Sequence, residues 1–508
     1  MEKRCRLQSE PEFIRNVCIM AHVDHGKTSL ADLLIATNGI ISDRMAGKLR
    51  YMDSRIEEQE RGITMKSSAI SLTFENKGKS FLINLVDSPG HADFSGEVSA
   101  AAVLCDGVIL VIDVVEGVCP QTIANLRLAW KEDLQLCLVL NKIDRLFTEM
   151  KMTPLEAYNR LVQVVEQVNA VTGELFVSRE LEDYERLSSS SLDITNSGNG
   201  DSSGAPDEEK HYFVPSSGNV AFASALDNWA FRLSDFAELW AKRLTCIDEQ
   251  ELRNALWGDF YLDAKSKQPV PGASEKGKEP LFVSMVLRNL ASVYDAFLIS
   301  GDADKATKIL KSLQISIQGS ELSRSDPRQK LQSVFGSWIP AASAVLRMVC
   351  DQLPSADKLS QRRTERLLCG GTACSFRHLS VAAQALKPFI MDCAVADSPT
   401  IVFVSKMVPV ESRLLNASAR KQAVLPRKER LKGCLVQEPK QTRFADEDGT
   451  TPLVCYLLCF APRMSSFMQV LHFSFCGRDP SERQLHTRKK FQSCTMEMFI
   501  FKYHVASA

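Results

Sequence analysis

Net charge is what this sequence has least of. Its 61 Lys and Arg nearly cancel its 62 Asp and Glu, leaving a formal charge of −1. That excludes a basic coat protein held to nucleic acid by bulk charge. Aromatics make up only 7% of the 508 residues, but 45% hydrophobic and 24% charged residues are ordinary globular usage. A collagen-like, coiled-coil or wholly disordered chain is therefore excluded. No long apolar run is present. The most apolar stretch, 101–119, is cut by Asp106, Asp113 and Glu116, so no membrane span or membrane partner is expected. The opening MEKRCRLQSEPEF has no apolar core of the kind a signal peptide needs. The 15 cysteines are scattered, none two residues from the next, and Cys455 and Cys459 lack a second pair to complete a zinc site. These absences imply a cytoplasmic protein with reduced thiols.

The length allows about three to five domains. Charge is uneven: residues 401–508 hold 17 Lys or Arg against 9 Asp or Glu. The first half alternates apolar runs with amphipathic stretches, the pattern of a parallel α/β sheet. Val17–Ala21, Phe81–Val86, Gly107–Val114, Leu136–Leu140 and Val220–Ala223 read as strands, and each is followed by a polar loop. Ligands of doubly wound sheets bind at such strand ends. A helix is expected from about Lys27 to Thr37 and another over Ser333–Ser355. Leu187–Pro206, rich in Ser, Gly and Asn, reads as a flexible surface insertion.

Between the first strand and the first helix lies Ala21-His22-Val23-Asp24-His25-Gly26-Lys27-Thr28. This is the spacing of a phosphate-binding loop, with Ala in place of the first Gly. Gly26 lets the backbone approach the phosphates, and the helix N-terminus attracts their charge. Lys27 would reach the β- and γ-phosphates, and the Thr28 hydroxyl would ligate Mg²⁺. Asp87-Ser88-Pro89-Gly90-His91 ends the second strand. There Asp87 would hold a water on Mg²⁺, and the Gly90 N–H would sense the γ-phosphate. Asn141-Lys142-Ile143-Asp144 ends the fourth. The Asp144 carboxylate only accepts hydrogen bonds, which suits the two N–H donors on one edge of guanine. The Lys142 stem would cover the base. Ser224-Ala225-Leu226 ends the fifth strand, where a backbone N–H would meet the guanine carbonyl. Arg61-Gly62-Ile63-Thr64 lies between the first two motifs, and Thr64 would complete the Mg²⁺ shell. The ligand these loops specify is GTP with Mg²⁺. Only eight histidines occur, and three sit in these loops. His91, beside Gly90, is placed to orient an attacking water and is the expected catalytic residue. His22 and His25 read as structural to the loop. Asp24 either holds a cation or shapes the turn.

These strings resemble the translational GTPases of the translocase elongation-factor class. So do SALDNWAF (224–231), LWGDFYLD (256–263) and SWIPAASAVLRMVCDQLPS (337–355). Gly47–Leu72, GKLRYMDSRIEEQERGITMKSSAISL, is more similar to the elongation factor-like GTPases of 60S ribosomal subunit maturation. The resemblance covers about residues 14–408. It implies that Val23 and Ile63 form a hydrophobic gate beside His91. It implies ribosome-stimulated GTP hydrolysis on the pre-60S particle and its RNA. Together with the Shwachman–Diamond syndrome protein, the factor would release the anti-association initiation factor. Ala92 departs mildly from the family, which usually has Val.

The fold expected is α/β: a P-loop GTPase G domain with a mostly parallel doubly wound sheet, an inserted α+β subdomain, the start of a β-barrel domain and an irregular C-terminal tail. An extension over 1–13 precedes a G domain over 14–231, with the flexible insertion at about 180–215. The inserted subdomain spans 232–327, the return to the G domain 328–360 and a linker 361–398. A truncated barrel domain begins over 399–410, and 411–508 reads as a disordered tail. The chain thus reads as a C-terminally truncated form. Two other functions fit the same motifs: a translocase-type elongation factor, or a GTP-binding module of low turnover that competes with the full-length factor.

Overall fold

A computed structural model describes residues 7, 10–42, 45–47, 49–53, 55–190, 211–244, 247–263, 266–313, 315, 317, 326–370, 376–392, 401–409, 453–461 and 464–471. The chain divides into two compact units, Met1–Phe376 and Arg377–Ala508.

The first unit is built on seven strands: β1 (Ile14–Ala21), β2 (Ser68–Asn76), β3 (Lys79–Asp87), β4 (Gly107–Asp113), β5 (Gln135–Asn141), β6 (Val220–Ser224) and β7 (Trp229–Phe231). Their spatial order is β2-β3-β1-β4-β5-β6-β7. The five strands expected from the sequence run parallel, and the two others pair antiparallel at the edges. β2 is half-buried and mixes Ser and Thr with apolar residues, so its apolar signal is weak. It is fixed as a hairpin by Lys77 (φ 50°) and Gly78 (φ 76°), two left-handed residues joining Asn76 to its partner Lys79.

The central strands are apolar on both faces, as a sheet covered on both sides requires. Residues two apart feed one layer: Cys18 and Met20, Val108 and Leu110, Leu138 and Leu140 pack with Val98, Leu126 and Leu161. Their neighbours Val17 and Ile19, Ile109 and Val111, Cys137 and Val139 face the other layer, with Leu30, Leu34, Val345 and Val349. The helices on these faces include α1 (Lys27–Ala36), α3 (Ser95–Val103), α4 (Pro120–Lys131), α5 (Asp144–Thr148) and α6 (Pro154–Ser190), while α2 (Ile56–Arg61) gives no residue to either layer. The segment 191–210, inside the expected flexible insertion, lies outside the described residues.

Beyond β7 come α7 (Leu233–Leu244), α8 (Glu249–Leu256), a two-stranded hairpin of β8 (Phe260–Leu262) and β9 (Pro269–Pro271), α9 (Arg288–Tyr294) and α10 (Ala303–Leu313). The helix expected over Ser333–Ser355 is two helices, α11 (Pro327–Trp338) and α12 (Ala341–Gln352). Pro340 caps the second. Its ring cannot donate the hydrogen bond a continuous helix needs. α13 (Gln361–Leu368) lies in the stretch expected as a linker, yet it is docked. The buried Arg363 guanidinium donates to the carbonyls of Ala102, Val103 and Cys105 at 3.2, 2.7 and 2.9 Å and pairs with Glu132.

The second unit contains β10 (Ile401–Pro409), β11 (Leu453–Ala461) and β12 (Met464–Leu471), an antiparallel sheet in that order. Two of its strands thus fall where the sequence shows no period. The rest of the expected irregular tail, 411–452, 462–463 and 472–508, lies outside the described residues. No helix among the described residues is long and apolar enough to cross a membrane.

Candidate functional site

Five loops meet at the carboxyl ends of the parallel strands, as such sheets dictate. The loop after β1 turns into α1 at Gly26, whose φ of 94° is left-handed. A Cβ there would lie 2.2 Å from Asn141 Nδ2, so only glycine fits. Asn141 uses that closeness. Its amide donates to the His25 carbonyl at 2.9 Å, and its Oδ1 accepts from the Ala225 N–H at 2.9 Å. One side chain therefore joins the loops after β1, β5 and β6. Asp24, with φ 59°, is the other left-handed turn residue of the first loop.

Lys27 is buried and donates to Asp87 Oδ1 at 2.6 Å and to Thr64 Oγ1 at 3.3 Å. The Thr28 and Thr64 hydroxyls are 3.3 Å apart. Burial pushes the Asp87 carboxyl up against the pull of Lys27. Its second oxygen is buried without a hydrogen-bond partner. Two hydroxyls and a carboxylate with one unpartnered oxygen, all reached from Lys27 or Thr28, are hard oxygen donors that fit Mg²⁺. Ser88 is fastened to the Ile19 carbonyl at 2.7 Å, and Pro89 is buried. A Cβ on Gly90 would lie 3.5 Å from Ala21 O and from Val23 N and Cα, so the two loops run backbone to backbone. His91 caps a short turn, accepting from the Asp93 N–H at Nδ1 (3.3 Å), with its side chain 42% exposed. Val23 and Ile63 are both half-buried.

At the opposite end of the site Asp144 is buried. Its Oδ1 accepts from the Ser224 hydroxyl at 2.7 Å and its Oδ2 from Arg328 at 3.2 Å. Burial, then the neighbouring Asp227, push its carboxyl up to about 6, opposed by Ser224 and Arg328. Lys142, left-handed at φ 62°, holds Asp113 at 2.9 Å, and Ile143 is buried. Leu226 is 55% exposed.

His25 is fully buried. Its Nδ1 accepts from the Asp113 N–H at 3.2 Å, so its proton sits on Nε2, 3.2 Å from Glu116 Oε2. Burial lowers its pKa despite the nearby carboxylates, and the ring is neutral. His22 stands edge-on to it, ring centroids 5.1 Å apart.

Several positioning residues escape the sequence reading. Asp32 on α1 accepts the N–H groups of Gly47, Arg50 and Tyr51 at 3.2, 2.9 and 2.9 Å. Glu58 on α2 accepts those of Met65 and Lys66 at 2.9 Å each and so holds the Thr64 loop. Both sit beside recognisable motifs. Asp113 ends a strand, the signal that marked the other loops. Arg328 had no signal: it is 184 residues from Asp144.

Together the sheet and these loops define a P-loop domain for a guanine nucleotide. The chain belongs to the elongation factor Tu GTP-binding domain family, whose model matches residues 12–299. It is similar to elongation factor-like GTPase 1 of Homo sapiens, 48% identical over 423 residues, covering 82% of this chain and 38% of that protein. It is also similar to ribosome assembly protein 1 of Saccharomyces cerevisiae, 42% identical over 445 residues (81% and 38%). The counterpart of Schizosaccharomyces pombe is 41% identical over 434 residues (83% and 41%). The chain spans about two fifths of the length of these curated relatives.

Proposed function

We propose that this chain is a ribosome-stimulated GTPase of cytoplasmic 60S subunit maturation. The observation that carries the reading is Asp144, a buried carboxylate held by Ser224 at the end of β5, tied through neighbouring Asn141 to the phosphate loop. Its oxygens match the paired N–H donors of guanine, and adenine would leave a buried charge unpaired. The relatives' names, elongation factor-like GTPase 1 and ribosome assembly protein 1, support the ribosomal setting.

In this reading Lys27 leaves Asp87 to bind the β- and γ-phosphates, helped by the loop N–H groups at the start of α1. Thr28 and Thr64, with Asp87 through water, would hold Mg²⁺, which neutralises phosphate charge. Gly90 senses the γ-phosphate. His91 orients the attacking water through Nε2, since Nδ1 is taken by the Asp93 N–H. Val23 and Ile63 gate its approach. The 60S subunit and its RNA, the Shwachman–Diamond syndrome protein and the anti-association initiation factor are the partners, release of the last being the output. GTP turnover with and without 60S subunits tests this. Stimulation is expected for a chain that docks on the subunit. No GTP binding at all would overturn the assignment.

A further inference from the structure

Beside the phosphate loop, but away from the oxygen donors around Asp87, stand three side chains that nucleotide chemistry does not use. Donor atoms of His22, Glu116 and Cys119 all lie within 4.8 Å of one another. His22 Nδ1 is buried and has no hydrogen-bond partner. Cys119 is the N-cap of α4, and Glu116 stands half-exposed in the loop after β4.

We propose that His22, Glu116 and Cys119 form a binding site for a borderline-soft divalent transition-metal ion, with Zn²⁺ the best fit. An imidazole nitrogen, a carboxylate oxygen and a thiolate are the donor types zinc takes with three protein ligands, its fourth position left to water. Tetrahedral zinc at about 2.0–2.3 Å from its ligands sets donors about 3.3–3.7 Å apart, so no pair of donors need close by more than about 1.5 Å. Hard Mg²⁺ does not suit a thiolate, which separates this site from the Thr28, Thr64 and Asp87 donors.

His25 completes the arrangement without ligating. Its Nδ1 accepts from the Asp113 N–H, so Nε2 keeps its proton and points it at Glu116 Oε2 (3.2 Å) and Cys119 Sγ (3.7 Å). A metal's anionic ligands are oriented by such outer donors. Burial, Glu116 and Asp113 keep the Cys119 thiol protonated, against the pull of the helix terminus. The cation offsets those carboxylates, and the thiol proton leaves to water on binding, so binding tightens as pH rises. Occupied, the site straps the second residue of the phosphate loop to the start of α4.

Co²⁺ titration of the full chain, freed of metal by a chelator, tests this. One Co²⁺ per chain should bind with a near-ultraviolet thiolate-to-cobalt band, persist in excess Mg²⁺ and be displaced by Zn²⁺. Cys119→Ser, which keeps a helix-capping side chain, should abolish the band, and Glu116→Ala should weaken binding at least tenfold. A circular dichroism melt shows that each variant is folded. Absence of the band in the parent chain, or its survival in folded Cys119→Ser, overturns the site. Neither readout depends on GTP, so failure here is distinct from failure of the nucleotide assignment.

Discussion

Asp144 illustrates how one carboxylate ties recognition to pH. Guanine needs it ionised, and burial has raised its pKa to about 6. Affinity for GTP should therefore be full above that value and fall as pH drops through it. Titration of a fluorescent guanine nucleotide between pH 5 and 8 reads this out, and a flat profile rejects it. Asp144→Asn should weaken GTP binding by about 1.5–3 kcal/mol, roughly 10–150-fold, the worth of a hydrogen bond to a charged group. It should also admit xanthine nucleotides, because the amide donates where that base offers an acceptor. His91 lies at the other extreme of exposure. His91→Ala removes no ground-state phosphate contact, so affinity should stay within a few-fold. Ribosome-stimulated turnover should fall by orders of magnitude, since positioning and electrostatics carry phosphoryl transfer. Unchanged stimulated hydrolysis would reject its role.

Elements remote in sequence set these residues. α11 delivers Arg328 to both Asp144 and Asp227, and Tyr294 of α9 donates to Asp227 at 2.8 Å while accepting from Trp229. Removing the Arg328 cation leaves Asp144 buried beside Asp227 with no cation opposing them among the described residues. Arg328→Ala should shift the midpoint of the pH profile upward and weaken GTP binding near neutrality more than at pH 8. A midpoint that stays put would mean the helix contributes packing alone. α13 offers a purely structural counterpart. Arg363 is 2% exposed, and its truncation takes a donor from the Val103 and Cys105 carbonyls and leaves Glu132 to Arg366 alone. Arg363→Ala should cost about 2–5 kcal/mol, from two buried acceptors that lose a donor, visible as a lowered Tm with nucleotide affinity retained in the folded fraction.

Across the whole molecule, legibility followed burial. β1, β4, β5 and β6 are apolar on both faces and could be read as runs, whereas β2, half-buried and rich in Ser and Thr, could not. Loop residues with an obligatory chemistry, Gly26, Lys27 and Asp144, follow spacing rules. Asp32, Glu58 and Arg328 hold those loops through contacts between distant segments, which no local pattern encodes. The motifs offer no arginine in cis to stabilise transferred phosphate. Intrinsic hydrolysis should accordingly be slow, on the order of 10⁻⁴–10⁻³ s⁻¹, and a single-turnover assay without ribosomes measures it.

The two-sided sheet has a consequence for the chain while it is being made. α12 covers the face carrying Ile109, Val111, Val139, Ala221 and Ala223. It begins at Ala341, long after β6 ends at Ser224. At about 5–20 residues per second, an apolar wall of finished strands waits roughly 6–25 s for its lid. A ribosome stalled before Ala341 should present a nascent chain that binds hydrophobic dyes and chaperones. One stalled far enough past Gln352 for α12 to clear the exit tunnel should not.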